Sequence, residues 1–265
     1  MEECLSSLAL SSQNNFELII VDGLSKDRTV EIAGKYADKI ITHPGNQAEA
    51  RNVGFKVALG RYVLFIDADM VFRGDVVNDC VQVMDEAQAA AAWIPERSLS
   101  SAYWSQCLRF ARSLSSESFR LPRVFRREAF ERLYYNPGLG IFEDIDILTR
   151  ARQLGLRICR ANAMVEHYEP TNLGSIVIKY YARAARSALP TYVMGPAIAK
   201  FFSYYLQSIS HPSIQVPSRY YPGIILIRIL RTVAFLLGRM VRLLTLPTKK
   251  NKMTAEETST LEDVN

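Results

Sequence analysis

The chain has 265 residues, 49% of them apolar and 22% charged, which excludes a disordered or fibrous protein and allows one large domain with an accessory segment. The net charge of +5 is unevenly placed: residues 1–170 carry 20 basic and 23 acidic side chains, residues 171–246 nine basic and no acidic ones, and residues 247–265 three basic and four acidic. That gradient excludes a uniformly basic nucleic-acid binder, so no nucleic-acid partner is expected, and it divides the chain into a near-neutral domain (1–170), a basic apolar helical region (171–246) and a disordered polar tail (247–265).

The elements follow in order. Residues 2–10 read as a short helix. Phe16–Val21 is a short, β-branched apolar run, the pattern of a buried parallel strand, and it ends at Asp22-Gly23. A helix follows over 27–36 with Asp27 as its N-cap, then a strand at 40–42 and a helix over 47–59 stopped by Gly60. Arg61–Ile66 is a third strand, ending in Asp67-Ala68-Asp69, and a helix spans 76–90. This alternation predicts an α/β fold with a mostly parallel sheet flanked by helices. Residues 121–126 are extended, 127–133 form a turn or two of helix, and Pro137–Gly140 is a loop. A helix over 143–154 ends at Gly155 and precedes a strand at 157–160. Beyond Gly174 the chain is helical and tyrosine-rich; Pro212, Pro217 and Pro222 interrupt it before a last helix over 223–246.

Four cysteines with no C-x-x-C spacing predict reduced, buried thiols rather than a zinc or redox motif. Met1-Glu2-Glu3 does not open a signal peptide, and no run of eighteen uncharged apolar residues predicts a spanning helix. Ligands of open α/β sheets bind at the carboxyl ends of strands, and two strands here end in aspartate. Two carboxylates two residues apart after a buried strand suit a hard divalent cation shared with a diphosphate. Asp144-x-Asp146 has the same spacing, so the position of Asp67-x-Asp69 after Val63-Leu64-Phe65-Ile66 carries the argument; a solvated turn is the other reading.

The segments FELIIVDGLSKDRTVEIA, AEARNVGFKVALGRYVLFIDADM and FRREAF…GLGIFEDIDILTRARQLGLRI together resemble the family 2 glycosyltransferases, collinearly over about residues 1–185. The resemblance implies a GT-A nucleotide-diphospho-sugar transferase fold, a nucleotide-sugar donor, a divalent metal (Mg²⁺ or Mn²⁺) and an inverting transfer of hexosyltransferase type to a glycan or lipid-linked acceptor in cell-envelope glycan synthesis. It implies that Asp22 touches the base or ribose and that Arg51 borders the nucleotide site. It further implies that Asp67 and Asp69 form the metal pair with Asp69 as ligand, and that Asp144, beside Glu143, is the catalytic base. His167 resembles a histidine that follows the acidic helix in many members, where metal ligation and a buried hydrogen-bonded role are both open. Glu143 and Asp144 also suit the positive end of a helix dipole, and Arg120, Arg123, Arg126 and Arg127 read either as diphosphate contacts or as a solvated charged face. Members of the family usually begin with an apolar strand ahead of the first helix; this chain begins inside that helix, so the resemblance implies a sheet short of a strand beside Asp22, with fewer nucleotide contacts and reduced or no activity.

On the last helix Arg228, Arg231, Arg239 and Arg242 fall within an arc of about 80° at 100° per residue. An in-plane helix would let them meet lipid phosphates while the apolar face enters the acyl boundary. The other reading packs the helix on the domain with its arginines in water. The expected location is therefore cytoplasmic, peripheral on the inner face of the cell membrane. Two other functions compete: a truncated paralogue that only binds a membrane or partner, and a sugar nucleotidyltransferase, which the Glu143-Asp144 helix disfavours.

Overall fold

A computed structural model describes residues 1–11, 16–113, 120–186 and 216–245. Pro212 and the tail at 247–265 lie outside the described residues. Three sheets are formed among the described residues. Strands β1 (Ile19–Asp22) and β2 (Lys39–Thr42) pair in parallel. Strands β3 (Tyr62–Leu64), β7 (Val124–Arg126), β5 (Ala91–Trp93) and β8 (Ile158–Arg160) form a four-stranded sheet in that order. Strands β4 (Met70–Phe72), β9 (Val165–His167) and β6 (Glu96–Ser98) form a third.

The α/β expectation holds, but the sheets are mixed rather than mostly parallel. β3–β7, β5–β7 and β4–β9 are antiparallel, while β1–β2, β5–β8 and β6–β9 are parallel. An apolar run such as Val124-Phe125 encodes burial and not direction, so β7 inserts antiparallel between β3 and β5 without leaving a mark in the sequence pattern. Among the described residues β1 pairs only with β2, and β3 only with β7, so the sheet is divided between them.

The helices follow their local chemistry. α1 (Glu2–Ser11) sets Cys4 and Leu8 into a core with Met70, Phe72 and, from α4 (Val76–Glu86), Val76, Cys80 and Met84. α2 is shorter than expected, Thr29–Ala33; the Asp27 carboxylate accepts from the Thr29 amide at 3.0 Å, while Arg28 occupies the N-cap position. α3 (Gln47–Val57) starts in a capping box: the Glu49 amide donates to Asn46 Oδ1 at 3.1 Å and the Asn46 amide donates back to Glu49 Oε2 at 2.8 Å. α4 stops at Glu86 because Ala91–Trp93 continues as strand. α5 (Tyr103–Ser113) and α6 (Arg127–Glu131) precede α7 (Glu143–Gln153), which carries Glu143, Asp144 and Asp146 in its first turn and Arg150 and Arg152 in its last, matching the helix dipole at both ends. Gly140 leads into α7 at φ +54°, ψ −116°, a backbone shape that a side chain would strain.

A second core packs Phe55 of α3, Phe65, Phe125 and Phe130 with Tyr135, their rings 4.7–6.1 Å apart. The third core joins α5 to α8 (Leu173–Arg186) and α9 (Tyr221–Thr245) through Cys107, Leu108, Phe110, Ile176, Tyr220, Ile224 and Ile227. α9 lies so close to α8 that a Cβ on Gly238 would sit 2.5 Å from the Tyr181 carbonyl oxygen and 3.0 Å from Ala184 Cβ. Gly238→Val is therefore expected to cost about 1–3 kcal/mol of overpacking and to release α9. Limited proteolysis reads this as faster cleavage within 221–245, and unchanged cleavage would contradict the close approach.

α9 differs from both readings of its arginines. Arg239 is 1% exposed, Arg228, Arg231 and Arg242 are half-buried, and Arg231 packs over the Tyr180 ring of α8. Ile225, Leu226, Ile229, Val233, Leu236, Leu237 and Met240 instead point outward, each 40–55% exposed. The arginines face the protein and the apolar residues face out. The sequence pattern finds both faces of such a helix but not which one the domain covers.

The cysteines Cys4, Cys80, Cys107 and Cys159 are free thiols. Burial pushes Cys4 up to about 11 and Cys80 up to about 12, so both stay protonated and unreactive.

Candidate active site

The carboxyl end of β3, the first turn of α7 and the flank of α3 meet at an open cleft of about 1130 Å³. Arg51, on α3, lies at its centre. Its Nη1 donates to Glu143 Oε1 at 3.1 Å and to Asp144 Oδ1 at 2.9 Å, and its Nη2 donates to Asp67 Oδ1 at 3.2 Å. The guanidinium also stacks 4.8 Å from the Tyr135 ring centroid. Burial alone would lower the Arg51 pKa; Tyr135, Asp144, Asp67 and Glu143 outweigh burial and hold it above the ordinary value, so it stays charged.

Arg123, just before β7, is the second strut. Its Nη1 donates to Asp67 Oδ2 at 3.0 Å and its Nε to Glu96 Oε1 at 2.8 Å. Gln47 Nε2 adds a bond to Asp67 Oδ1 at 3.1 Å. Burial would raise the Asp67 pKa, but Arg123 and Arg51 overcome it and keep the carboxyl below the usual range.

Asp69 faces a different partner. β4 pairs antiparallel with β9 in a register that sets Met70 opposite His167, and the Tyr168 amide donates to the Asp69 carbonyl at 2.9 Å. His167 Nε2 thereby lies 3.2 Å from Asp69 Oδ1, and its Nδ1 lies 3.7 Å from Glu169 Oε1. Lys179 of α8 approaches Asp69 Oδ2 at 3.9 Å. Burial would raise the Asp69 pKa; His167 and Lys179 reverse that and lower it.

One ligand atom each from Asp67, Asp69 and His167 lie within 4.8 Å of one another. Two carboxylates suit Mg²⁺ or Mn²⁺, and adding the imidazole favours Mn²⁺. Both Asp67 oxygens already accept from arginine, so Asp69 and His167 are the better placed pair. His167 Nδ1 is buried without a hydrogen-bond partner among the described residues, the nearest carboxylate oxygen being Glu169 Oε1 at 3.7 Å.

Of the residues singled out from sequence, Arg51, Asp67, Asp69, Arg120, Arg123, Asp144 and His167 line this cleft together, Arg120 with its Cζ over the Trp93 ring at 4.2 Å. Glu143 is 5% exposed and meets the group through Arg51. Asp22 does not line the cleft: it is 5% exposed at the end of β1, and its Oδ2 accepts from the Ser25 amide at 3.0 Å. Arg126 and Arg127 are neither diphosphate contacts nor a free charged face. Arg126 holds Asp85 at 2.7 Å and the Ala89 carbonyl at 2.9 Å, and Arg127 donates to the Gly60 and Ala58 carbonyls. Sequence reasoning missed Gln47, Glu96 and Lys179. Lys179 carried one signal, as the first basic residue of the acid-free stretch.

A family profile described as "Glycosyl transferase family 2" matches residues 1–142. The poly(ribitol-phosphate) beta-N-acetylglucosaminyltransferase TarS of Staphylococcus aureus is 34% identical over 93 residues, 32% of this chain and 16% of that protein. A PGL/p-HBAD biosynthesis glycosyltransferase of Mycobacterium bovis is 30% identical over 146 residues, 51% of this chain and 54% of that one. The matched stretches thus span about half or less of these curated relatives. Among solved structures, S. aureus TarS in complex with UDP-GlcNAc superposes with a TM-score of 0.54 at 19% identity, covering 91% of this chain and 86% of that one. The mannosyltransferase PcManGT of Pyrobaculum calidifontis, in complex with GDP-Man and Mn²⁺, superposes with a TM-score of 0.56 at 14% identity, covering 98% of this chain and 75% of that one. Both likenesses are in fold.

Proposed function

Because the chain belongs to glycosyl transferase family 2 and has the GT-A fold, we propose that it moves a sugar, with inversion, from a nucleoside diphosphate sugar to a hydroxyl of a glycan or lipid-linked acceptor. The observation that carries this reading is the meeting of Asp144, Arg51, Asp67, Asp69 and His167 in one cleft.

The chain's own groups divide the work. Asp144 takes the proton of the acceptor hydroxyl as its oxygen attacks the anomeric carbon; the bond from that carbon to the β-phosphate breaks and its electrons leave with the nucleoside diphosphate. Arg51 and Arg123 fix Asp67 in place at the edge of the cleft. Asp69 and His167 would hold the divalent ion, which supplies charge neutralisation to the diphosphate. Asp22, at the end of β1, is assigned to the nucleoside side. Residues 1–170 form the catalytic unit in this reading, and α8 and α9 close one wall of its cleft.

The outward apolar face of α9 supports a peripheral contact with the cytosolic leaflet. No helix among the described residues is long and apolar enough to cross a membrane. With its arginines turned inward, an in-plane α9 would bury Ile229, Val233, Leu236 and Met240 in the acyl boundary. Ile229→Glu with Leu236→Glu is expected to reduce association with phosphatidylglycerol vesicles at least tenfold in a sedimentation assay while leaving the domain folded. Undiminished association would remove the membrane contact.

UDP-GlcNAc and GDP-mannose, bound by the two structural relatives, are the first donors to test. Calorimetry with Mn²⁺ is expected to show binding of one of them, and Asp69→Ala is expected to abolish the Mn²⁺-dependent part. Binding that ignores Mn²⁺ and Asp69 would remove the metal assignment. Failure with nucleotide-sugars as a class would favour a protein that binds membrane or partner without catalysis.

A further inference from the structure

The wall of the cleft opposite α3 is built by α5, α8 and α9 and contributes Arg109, Lys179, Tyr180 and Arg231. None of the described residues of α8 and α9 is acidic. Arg231 Cζ sits over the Tyr180 ring, 3.9 Å from its centroid, and Arg109 Cζ sits over the Phe110 ring at 4.1 Å. A ring under the guanidinium carbon restrains the side chain while leaving N–H donors for an anion. Arg109 uses its Nε on Gln106 Oε1 at 2.8 Å. Among the described residues neither Arg109 nor Arg231 has a carboxylate partner, in contrast to Arg51, Arg97 and Arg123 in the same lining, each of which is ion-paired. The cleft therefore has one electrically balanced side, around Asp67, and one side with two preoriented cationic forks. Planar forks of this kind match phosphate oxygens in pairs.

The same helix supplies the second half of the argument. Arg231 sits on the cleft side of α9, and Ile229, Val233, Leu236 and Met240 sit on its outer side, 45–55% exposed. An α-helix with side chains is about 10–12 Å across. If the outer side rests in the acyl boundary, the cleft side lies at headgroup depth, where lipid phosphates are.

We propose that the Arg109–Arg231 wall is an anion subsite that holds the phosphate of a lipid-borne acceptor, presenting the acceptor's hydroxyl toward Asp144. The proposal rests on the glycosyltransferase reading above and names the acceptor class within it: a sugar linked through phosphate to a lipid, rather than a neutral glycan.

The test uses the full chain and two sets of neutral phosphatidylcholine vesicles, one doped with a polyprenyl phosphate and the other with the matching polyprenol. The phosphate vesicles are expected to bind at least tenfold more tightly. Arg231→Gln is expected to erase that difference while preserving the weaker association with the polyprenol vesicles, which depends on the outer face. Equal binding of both vesicles by the native chain overturns the proposal, as does a preference for phosphate that survives Arg231→Gln combined with Arg109→Gln. If these variants leave phosphate-vesicle binding intact and instead raise the donor concentration needed for half-saturation, the wall serves the donor diphosphate and the proposal is overturned. Donor binding measured in parallel separates the two readings: a chain that binds nucleotide-sugar but ignores the lipid phosphate loses only this inference, whereas one that binds no nucleotide-sugar loses both.

Discussion

Asp144→Asn is expected to lower the rate of sugar transfer by about 10²–10⁴-fold, the range that a positioned general base contributes. The carboxamide oxygen can still accept from Arg51 Nη1, so the arginine hub and the cleft survive the change. Donor affinity should therefore stay within about twofold, and the loss should appear in the single-turnover rate rather than in binding. Glu143→Gln is the useful contrast. Glu143 is 5% exposed and meets Arg51 at 3.1 Å, so its replacement acts on the position of α7 more than on the proton. A variant D144N that transfers sugar at the native rate would remove the base from Asp144.

Arg51→Ala is expected to be the most destabilising change in the site. The Arg51 side chain is 11% exposed, and its removal leaves the carboxylates of Glu143, Asp144 and Asp67 facing one another, with Glu143 at 6% side-chain exposure. Breaking a buried ion pair from one side costs about 3–5 kcal/mol, which for a domain of this size is a drop of roughly 6–20 °C in Tm. Arg51→Lys should recover little. A single ammonium cannot place one donor on Glu143 and Asp144, a second on Asp67, and also keep its charge over the Tyr135 ring. Thermal denaturation of the two variants against the native chain measures both expectations. A loss below about 1 kcal/mol for R51A would mean that solvent screens the three carboxylates far better than their burial implies.

The sequence was most legible where chemistry is local. The strand ending at Asp67-Ala68-Asp69, the capped helix from Gln47 and the acidic first turn of α7 are each written in a few consecutive residues, and each is found close to its expected place. The expected helix ends ran long, at 36 and 90: α2 stops at Ala33 with Gly34 as its C-cap, and the alanine-rich 87–90 continues a helical pattern that ends at Glu86. Strands β4, β6 and β9 have three residues each, too few for an alternating pattern to emerge, yet they set His167 beside Asp69. Arg123 and Arg126 were illegible for another reason. Whether an arginine beside a strand meets water or a carboxylate depends on what lies across the sheet, and Asp67, Glu96 and Asp85 arrive there from other segments. The orientation of α9 was hidden in the same way, since amphipathic spacing is blind to which face finds a partner.

The pairing of β4 with β9 has a consequence for how this site tolerates change over evolutionary time. Asp69 and His167 are far apart in sequence but are brought together by the register that sets Met70 opposite His167, while β6 fixes the other edge of β9 by setting Ser98 opposite the same residue. Segments between these strands can lengthen, shorten or be exchanged without moving the two side chains relative to each other. A deletion of one residue inside β9 cannot be absorbed so cheaply: it would turn the imidazole to the opposite side of the sheet in a single step. Lineages of this fold are thus free to remodel the walls of the cleft, where acceptors are chosen, while insertions and deletions are barred from the three residues Val165–His167.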